Sequence, residues 1–342
     1  MKRFSLIVML LGLMASCGYA GTVGTWYGTS TGPPYTGSWS DPYWASNRTT
    51  NLPASPDSYD NEIKITRPDT VCTVSTNVSD WNPKVSVGTT SGTVPILEIK
   101  PGGYIGLKEL RVGAGGATGS VTVTGKVNQT GGTVMMYNDG NILIGRMGNA
   151  AAKKGVGYYT ISGGTIDYDA LTTTQGNLVV GGAGGTVGVN GAEGTLTIVG
   201  SASTIKARKL YVGGDGTYYG KGTLEFQIDA GGVSPIQVSG STAYLDPNGV
   251  DSTAILALSL LAAPPSGEIT LITGTVSGTF DTFTDSLGSH AATEGALVTL
   301  NWLGTDYLYN LTYTGSVKLV PEPTTLVLLG LGGLFAARKR RK

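Results

Sequence analysis

The chain has little of what most enzyme sites are built from: two cysteines, one histidine and 13% charged residues in 342. Of the cysteines, Cys17 follows an N-terminal apolar stretch, inside the segment read below as a signal peptide, and Cys72 stands in the alternating run Val71-Cys72-Thr73-Val74. One mature cysteine excludes an internal disulfide, and a lone His290 excludes a Cys/His metal cluster of usable spacing. Neither a metal nor a cofactor is expected. Runs of Ala, Glu, Lys and Leu that favour helices are scarce, and no apolar run reaches the roughly 20 residues that span a bilayer comfortably. A Walker phosphate loop is missing, as is a Gly-x-Ser-x-Gly elbow with suitably placed partners. His290, in Ser289-His290-Ala291, reads as a surface-loop residue.

What is abundant is glycine, at 54 positions. It is organised. Leu110-Arg111-Val112-Gly113, Ile142-Leu143-Ile144-Gly145, Leu178-Val179-Val180-Gly181 and Leu210-Tyr211-Val212-Gly213 recur at intervals of 32, 36 and 32 residues. A period of that size marks a repeat architecture. Each block leads through a glycine-rich loop to a second strand: Gly119-Ser120-Val121-Thr122-Val123, Gly157-Tyr158-Tyr159-Thr160-Ile161, Gly194-Thr195-Leu196-Thr197-Ile198 and Gly222-Thr223-Leu224-Glu225-Phe226. Period-two alternation puts the second and fourth residues after each glycine on one face. A third strand follows in Gly131-Gly132-Thr133-Val134, Gly163-Gly164-Thr165-Ile166 and Ser203-Thr204-Ile205. Three short strands per repeat, with glycine corners and variable loops at one junction, predict a coil of a parallel β-helix. An antiparallel β-sandwich would alternate similarly but leaves the three-strand block unexplained.

The fold expected is therefore all-β: a parallel β-helix (β-solenoid) at 85–240, an N-terminal β cap at 21–84 and a C-terminal β-rich cap at 241–317. The cap before the first coil contains Trp26, Trp39 and Trp44, read as core-filling with sugar stacking as the alternative. Within the C-terminal cap 254–263, 269–273, 297–302 and 308–313 read as strands, with a short helix as the alternative at 255–261, and residues 315–320 read as a short tether.

Both termini look like addresses. Lys2 and Arg3 precede an apolar stretch at 4–14, and Gly18 and Ala20 occupy positions minus three and minus one of a cut between Ala20 and Gly21. That is the pattern of a secretory signal peptide over 1–20, for signal peptidase. Met14-Ala15-Ser16-Cys17 is a competing lipobox-like reading. At the other end Pro321-Glu322-Pro323 precedes an apolar segment at 324–337, a short hydrophobic helix, and then Arg338-Lys339-Arg340-Arg341-Lys342. Proline fixes φ and extends its neighbour, so the triplet presents a strand-like peptide to an enzyme, and five cations hold the C-terminus in the cytoplasm.

Motif, short apolar segment and basic end, in that order over 318–342, resemble the PEP-CTERM sorting signal of Gram-negative envelope proteins. The resemblance implies that a membrane-embedded exosortase recognises Pro321, Glu322 and Pro323, removes the tail, and releases or transfers a transiently anchored protein to the cell surface or matrix. The layout is also similar to β-helical exported proteins of exosortase-bearing bacteria and, more loosely, to autotransporter passengers. Without 1–20 and 324–342 the chain keeps 16 basic and 23 acidic residues, net −7. A modestly acidic exported protein has no electrostatic reason to collect phosphate backbones, so no nucleic-acid partner is expected.

Catalysis has few candidates. Asp167 and Asp169 share a strand face, but the preceding repeat offers Met135 and Tyr137 there, so no carboxylate ladder forms. Asp215, in Gly213-Gly214-Asp215-Gly216, resembles a calcium-loop position without the nine-residue repetition that stacks ligands. The expectation is a non-catalytic structural, adhesive or biofilm protein, with exopolysaccharide or other surface proteins as partners. The alternatives are a β-helical polysaccharide-degrading enzyme and an ice-binding protein. The latter rests on outward hydroxyls such as Thr122, Thr160, Thr195, Thr197 and Thr223.

Overall fold

The computed structural model describes residues 23–26, 36–38, 44–45, 62–65, 71–75, 84–88, 92, 94–114, 122–146, 154–168, 176–183, 192–247, 249 and 252–322. No α-helix occurs among them. Three short strands, β1 (Val23–Trp26), β2 (Thr36–Ser38) and β3 (Trp44–Ala45), precede β4 (Glu62–Ile65), β5 (Val71–Val74), β6 (Lys84–Val87) and β7 (Ile96–Ile99). Longer strands that bend around corners follow: β8 (Tyr104–Ala114), β9 (Thr122–Arg146) and β10 (Lys154–Tyr168). Next come β11 (Asn177–Ala183), β12 (Ala192–Val199), β13 (Ser203–Ala207), β14 (Lys209–Val212) and β15 (Gly220–Ile228). The chain continues through β16 (Ile236–Leu245), β17 (Thr253–Leu260), β18 (Ile269–Ser277) and β19 (Thr282–Asp285). It closes with β20 (Gly288–Ala291), β21 (Leu297–Trp302), β22 (Thr305–Thr312) and β23 (Ser316–Pro321).

The strands stack in parallel as three faces of a β-solenoid. Face A aligns Val85, Leu110, Ile142, Leu178, Leu210 and Ala243. Face B aligns Leu97, Val127, Tyr159, Leu196, Leu224 and Leu256, with Ile99, Gln129, Ile161, Ile198, Phe226 and Leu258 two residues on. Face C aligns Ile105, Val134, Ile166, Ile205, Ile236 and Ile272. These inward columns form one continuous buried core. Each fully buried Leu, Ile or Phe contributes about 1.5–3 kcal/mol, so the stacked interior removes the need for disulfides. Cys72 is buried in it and is not part of a disulfide. Parallel pairing also reaches β1, β2, β4 and β5, and Trp26 faces Trp44 across the antiparallel β1–β3 pair.

Three expectations are corrected here. The face-B strand of the first repeat lies six residues later than its glycine suggests: Gly125, not Gly119, aligns with Gly157, Gly194 and Gly222. Val123 is buried but pairs with Gly155, and Gln129 holds the place opposite Ile161. Period-two alternation runs unbroken from Val121 to Val127, so the pattern alone does not choose between registers two residues apart. The helix alternative at 255–261 does not hold, whereas the strand reading does: residues 255–260 belong to β17, where Ala254, Leu256 and Leu258 face the core in register with β15. A continuous apolar run has no period of its own, and stacking decides it. The supposed tether at 315–320 is β23, with Val317 and Leu319 fully buried.

A close backbone crossing joins faces A and B. Gly145 sits at φ +75°, and a Cβ there would lie 2.2 Å from the carbonyl oxygen of Glu193. A Cβ on Gly194 would lie 2.1 Å from the carbonyl oxygen of Ile144. The strand leaving face A thus crosses the next rung's entry to face B backbone against backbone. Gln129 adds an interior polar link: its Oε1 accepts from the Tyr159 hydroxyl at 2.7 Å, and its Nε2 donates to the Thr165 carbonyl at 3.1 Å. Burial pushes the Tyr159 hydroxyl well above the usual phenol range, so it stays a donor.

Three outcomes follow. Gly194→Ala is expected to cost about 3 kcal/mol in denaturant unfolding, because a backbone must move. Gly267→Ala, where nothing lies within 4 Å of the added carbon, should stay within about 0.5 kcal/mol of the native chain. Tyr159→Phe leaves the Gln129 oxygen buried without its donor and should cost about 1–3 kcal/mol by the same measurement.

Candidate functional site

Outside the core, a groove crosses four rungs at the edge of face C. Its cavity volume is about 510 Å³, and its lining includes Met135, Tyr137, Asp167, Lys206, Arg208 and Ser239. The register explains the grouping. Asp167 aligns with Met135 in the rung before it, and Ile166 with Ile205 in the rung after it, which brings Lys206 beside Asp167. The Lys206 ammonium donates to Asp167 Oδ2 at 2.9 Å. Asp167 Oδ1 accepts from the backbone N–H of Tyr168 at 2.8 Å. Both oxygens are engaged.

The groove floor is built by neighbouring tyrosines. Burial raises the Tyr168 hydroxyl above the ordinary phenol range, and it donates to the Asn177 carbonyl at 3.1 Å. Tyr137 shares a hydroxyl-to-hydroxyl hydrogen bond with Tyr104 of the preceding rung. One carboxylate and two cations, those of Lys206 and Arg208, therefore line the same opening. Lys206 and Arg208 escaped notice in the sequence, although a signal was present. Thr165-Ile166-Asp167 and Thr204-Ile205-Lys206 align, so opposite charges at one outward position of adjacent rungs were readable.

Hydrolysis of a glycosidic bond ordinarily takes two carboxyl groups flanking it. Asp167 is the one carboxylate among the described groove residues, and Asp169 lies outside them. Asp215 caps its own turn, with Oδ1 accepting from the N–H groups of Thr217 and Tyr218 at 3.0 and 2.9 Å. No cluster of three His, Cys, Asp or Glu side chains able to hold a metal occurs among the described residues. His290 is a strand residue of β20, which corrects the loop expectation. Its Nε2 stands 3.3 Å from the buried carboxylate of Asp285.

The outward rows of face B are mixed rather than a hydroxyl sheet. One row reads Glu98, Asn128, Thr160, Thr197, Glu225 and Ala257; the other reads Ile96, Lys126, Tyr158, Thr195, Thr223 and Ile255. Threonines stand side by side for two rungs before a charge, amide or bulky residue interrupts. The Thr197 hydroxyl is itself engaged, donating to Glu225 at 2.9 Å.

The other candidate lies at the end of the last strand. β23 is antiparallel to β18 on one side and to β22 on the other. Pro321 is opposite Tyr309, and the Glu322 N–H donates to the Leu308 carbonyl at 3.1 Å. The β18 ladder begins at Ile269, opposite Leu319, so Pro321 lies past that neighbour, where its missing N–H breaks no bond on that side. Pro323, the apolar segment at 324–337, and Ala20, Gly21 and Cys17 at the other end lie outside the described residues. Among the described residues no helix is long and apolar enough to cross a membrane.

Comparison places a known element on this end of the molecule: the PEP-CTERM protein-sorting motif matches residues 319–342. No curated protein and no solved structure matches the chain. The chain carries an exosortase-type sorting signal attached to a β-solenoid, which is the signal of an exported protein with a C-terminal membrane anchor.

Proposed function

We propose that the protein is a non-catalytic adhesive component of the cell surface or extracellular matrix of a Gram-negative bacterium, and that the groove around Lys206 and Arg208 holds an acidic polysaccharide. The single observation that carries this reading is the Lys206–Asp167 pair at 2.9 Å within a groove four rungs long. Asp167 accepts one hydrogen bond on each oxygen and so fixes the lysine in the groove. Lys206 keeps two further N–H donors, and the Arg208 guanidinium fork matches carboxylate geometry. Against a mature net charge of −7 such a spot attracts anions selectively.

The groove's direction supports a polymer. Rungs stack at about 4.8 Å, so the four rungs lining it cover roughly 14 Å along the solenoid axis. An extended glycan lying parallel to that axis meets Tyr137, Lys206 and Ser239 in turn. The membrane anchor delivers the protein to the envelope, and tail removal by the exosortase frees it to act there. Signal peptidase at Ala20–Gly21 would perform the first cut, and exosortase recognition through Pro321, Glu322 and Pro323 the second.

Co-sedimentation of the mature protein with polygalacturonate and with neutral dextran tests this. Polygalacturonate should retain the protein and lose it as salt rises, while dextran should not. The combined change Lys206→Glu and Arg208→Glu should weaken retention at least tenfold. New reducing ends or unsaturated products that disappear in Asp167→Asn would instead establish the enzyme alternative.

A further inference from the structure

We propose that the β19–β20 and β21–β22 turns form an apolar tip that dips into the lipid interface beside the point where the C-terminal anchor meets the membrane. This rests on reading the segment after Glu322 as a membrane anchor, and it adds a second membrane contact, made by the folded body. Leu303 and Leu287 are the most exposed large apolar side chains among the described residues, at 87% and 69%, and each stands in a two-residue hairpin turn. Single exposed leucines are ordinary on a protein surface. Conformation and grouping set these two apart.

Leu303 has φ +50° and Gly304 φ +82°, between the paired Trp302 and Thr305. Positive φ at both central residues is the type I′ geometry, in which Asn-Gly is the favoured pair. Leucine there carries a steric cost that asparagine lowers, and its exposure shows that no core contact compensates. The two turns are also tied together. The Ser286 N–H donates to the Thr299 carbonyl at 3.1 Å, and the Asn301 N–H donates to Ser286 Oγ at 2.6 Å. Neither Ser286 to Ser289 nor Trp302 to Thr305 contains a charged residue. The flanking acids are engaged, Asp306 by the Asn301 amide at 2.7 Å and Asp285 by the N–H groups of Leu287 and Thr299 at 2.8 and 2.7 Å. Trp302 is half-buried, and Tyr307 shares its strand face, two rings of the kind that settle at headgroup level.

The direction of β23 supplies the occupant. Leu319, Val320 and Pro321 oppose Leu311, Asn310 and Tyr309 in turn, so β23 runs toward the β21–β22 turn. Gly304 lies four residues beyond Leu308, the partner of the Glu322 N–H, or about 13 Å along the strand. Thr324, where the apolar segment begins, is two residues past Glu322 and so within roughly 7 Å of it. A headgroup layer is roughly 5–8 Å deep, so a tip projecting about 13 Å past Glu322 reaches it when Thr324 sits at its edge. The apolar segment, 14 residues at 324–337, would span about 21 Å even as a helix, against a hydrocarbon core of roughly 30 Å. Contact by the folded body supplements so short an anchor. Alone it is weak, since even a single myristoyl chain holds a protein only marginally, so the tip steadies the anchored body without retaining a released one.

The test uses the full chain in phosphatidylcholine vesicles, with and without lipid brominated high on its acyl chains, a short-range quencher of tryptophan emission. The Trp302 signal is the difference between the native chain and Trp302→Phe, which removes one of five tryptophans. Brominated lipid should quench that signal at least twofold, and Leu287→Ser combined with Leu303→Asn should abolish the quenching. Leu303→Asn alone should unfold in denaturant at or above the native midpoint, because asparagine accepts a positive φ. A lowered midpoint assigns the leucine to the fold and overturns the proposal. A chain that floats with the vesicles while Trp302 stays unquenched, or a double variant quenched like the native chain, overturns the tip and leaves the anchor standing. A native chain that does not float overturns the anchor reading and the proposal with it.

Discussion

The structure depends on one contact that side chains forbid: two backbones crossing where face A ends and face B begins. Gly145 and Gly194 meet there across successive rungs, and the same geometry recurs at Gly113 with Gly157 and at Gly181 with Gly222. A methyl group at any of these positions would lie within about 2.3 Å of a carbonyl oxygen. Once the crossing is allowed, the strands stack in parallel, the inward columns of Leu, Ile and Val join, and the variable segments are directed to the junction after face A. The repeat in the sequence is thus the trace of a steric requirement.

The same stacking creates the candidate groove. Because equivalent positions lie one above another, an aspartate in one repeat and a lysine in the next become neighbours although 39 residues separate them. Solenoids turn sequence variation at one position into a line of different chemistry along the axis. Here that line runs from Met135 through Asp167 to Lys206, with Arg208 and Ser239 beside it. At the C-terminal end parallel stacking stops. β18 takes an antiparallel partner in β23, and the closing hairpin shields what would otherwise be an open edge.

Much of this was legible. The Leu-x-Val-Gly blocks identified face A, and the alternation after Gly157, Gly194 and Gly222 identified the inward residues of face B, because glycine corners and period two are local properties. What escaped depends on distant partners. The register of the first face-B strand is set by pairing with β7 and β10, and Gln129, a polar residue in a core column, disguised it. The run Ala254-Ile255-Leu256-Ala257-Leu258 reads as strand or short helix on its own, and β15 beside it decides for strand. The segment Ser316–Pro321 looked like a tether because it leads into a sorting signal, yet Val317 and Leu319 alternate as strand residues do. Of the groove, Asp167 was recognisable as a carboxylate on a strand face, whereas its lysine required the rungs to be aligned.

Amide hydrogen exchange of the mature chain, followed peptide by peptide, tests the stacked architecture most directly. Peptides covering the face-B strands around Tyr159, Leu196 and Leu224 should be protected to a similar degree and lose protection together as denaturant is added, since each strand is bonded to the rung on either side. Rapid, independent exchange of the 192–199 and 220–228 peptides in native buffer would contradict the account.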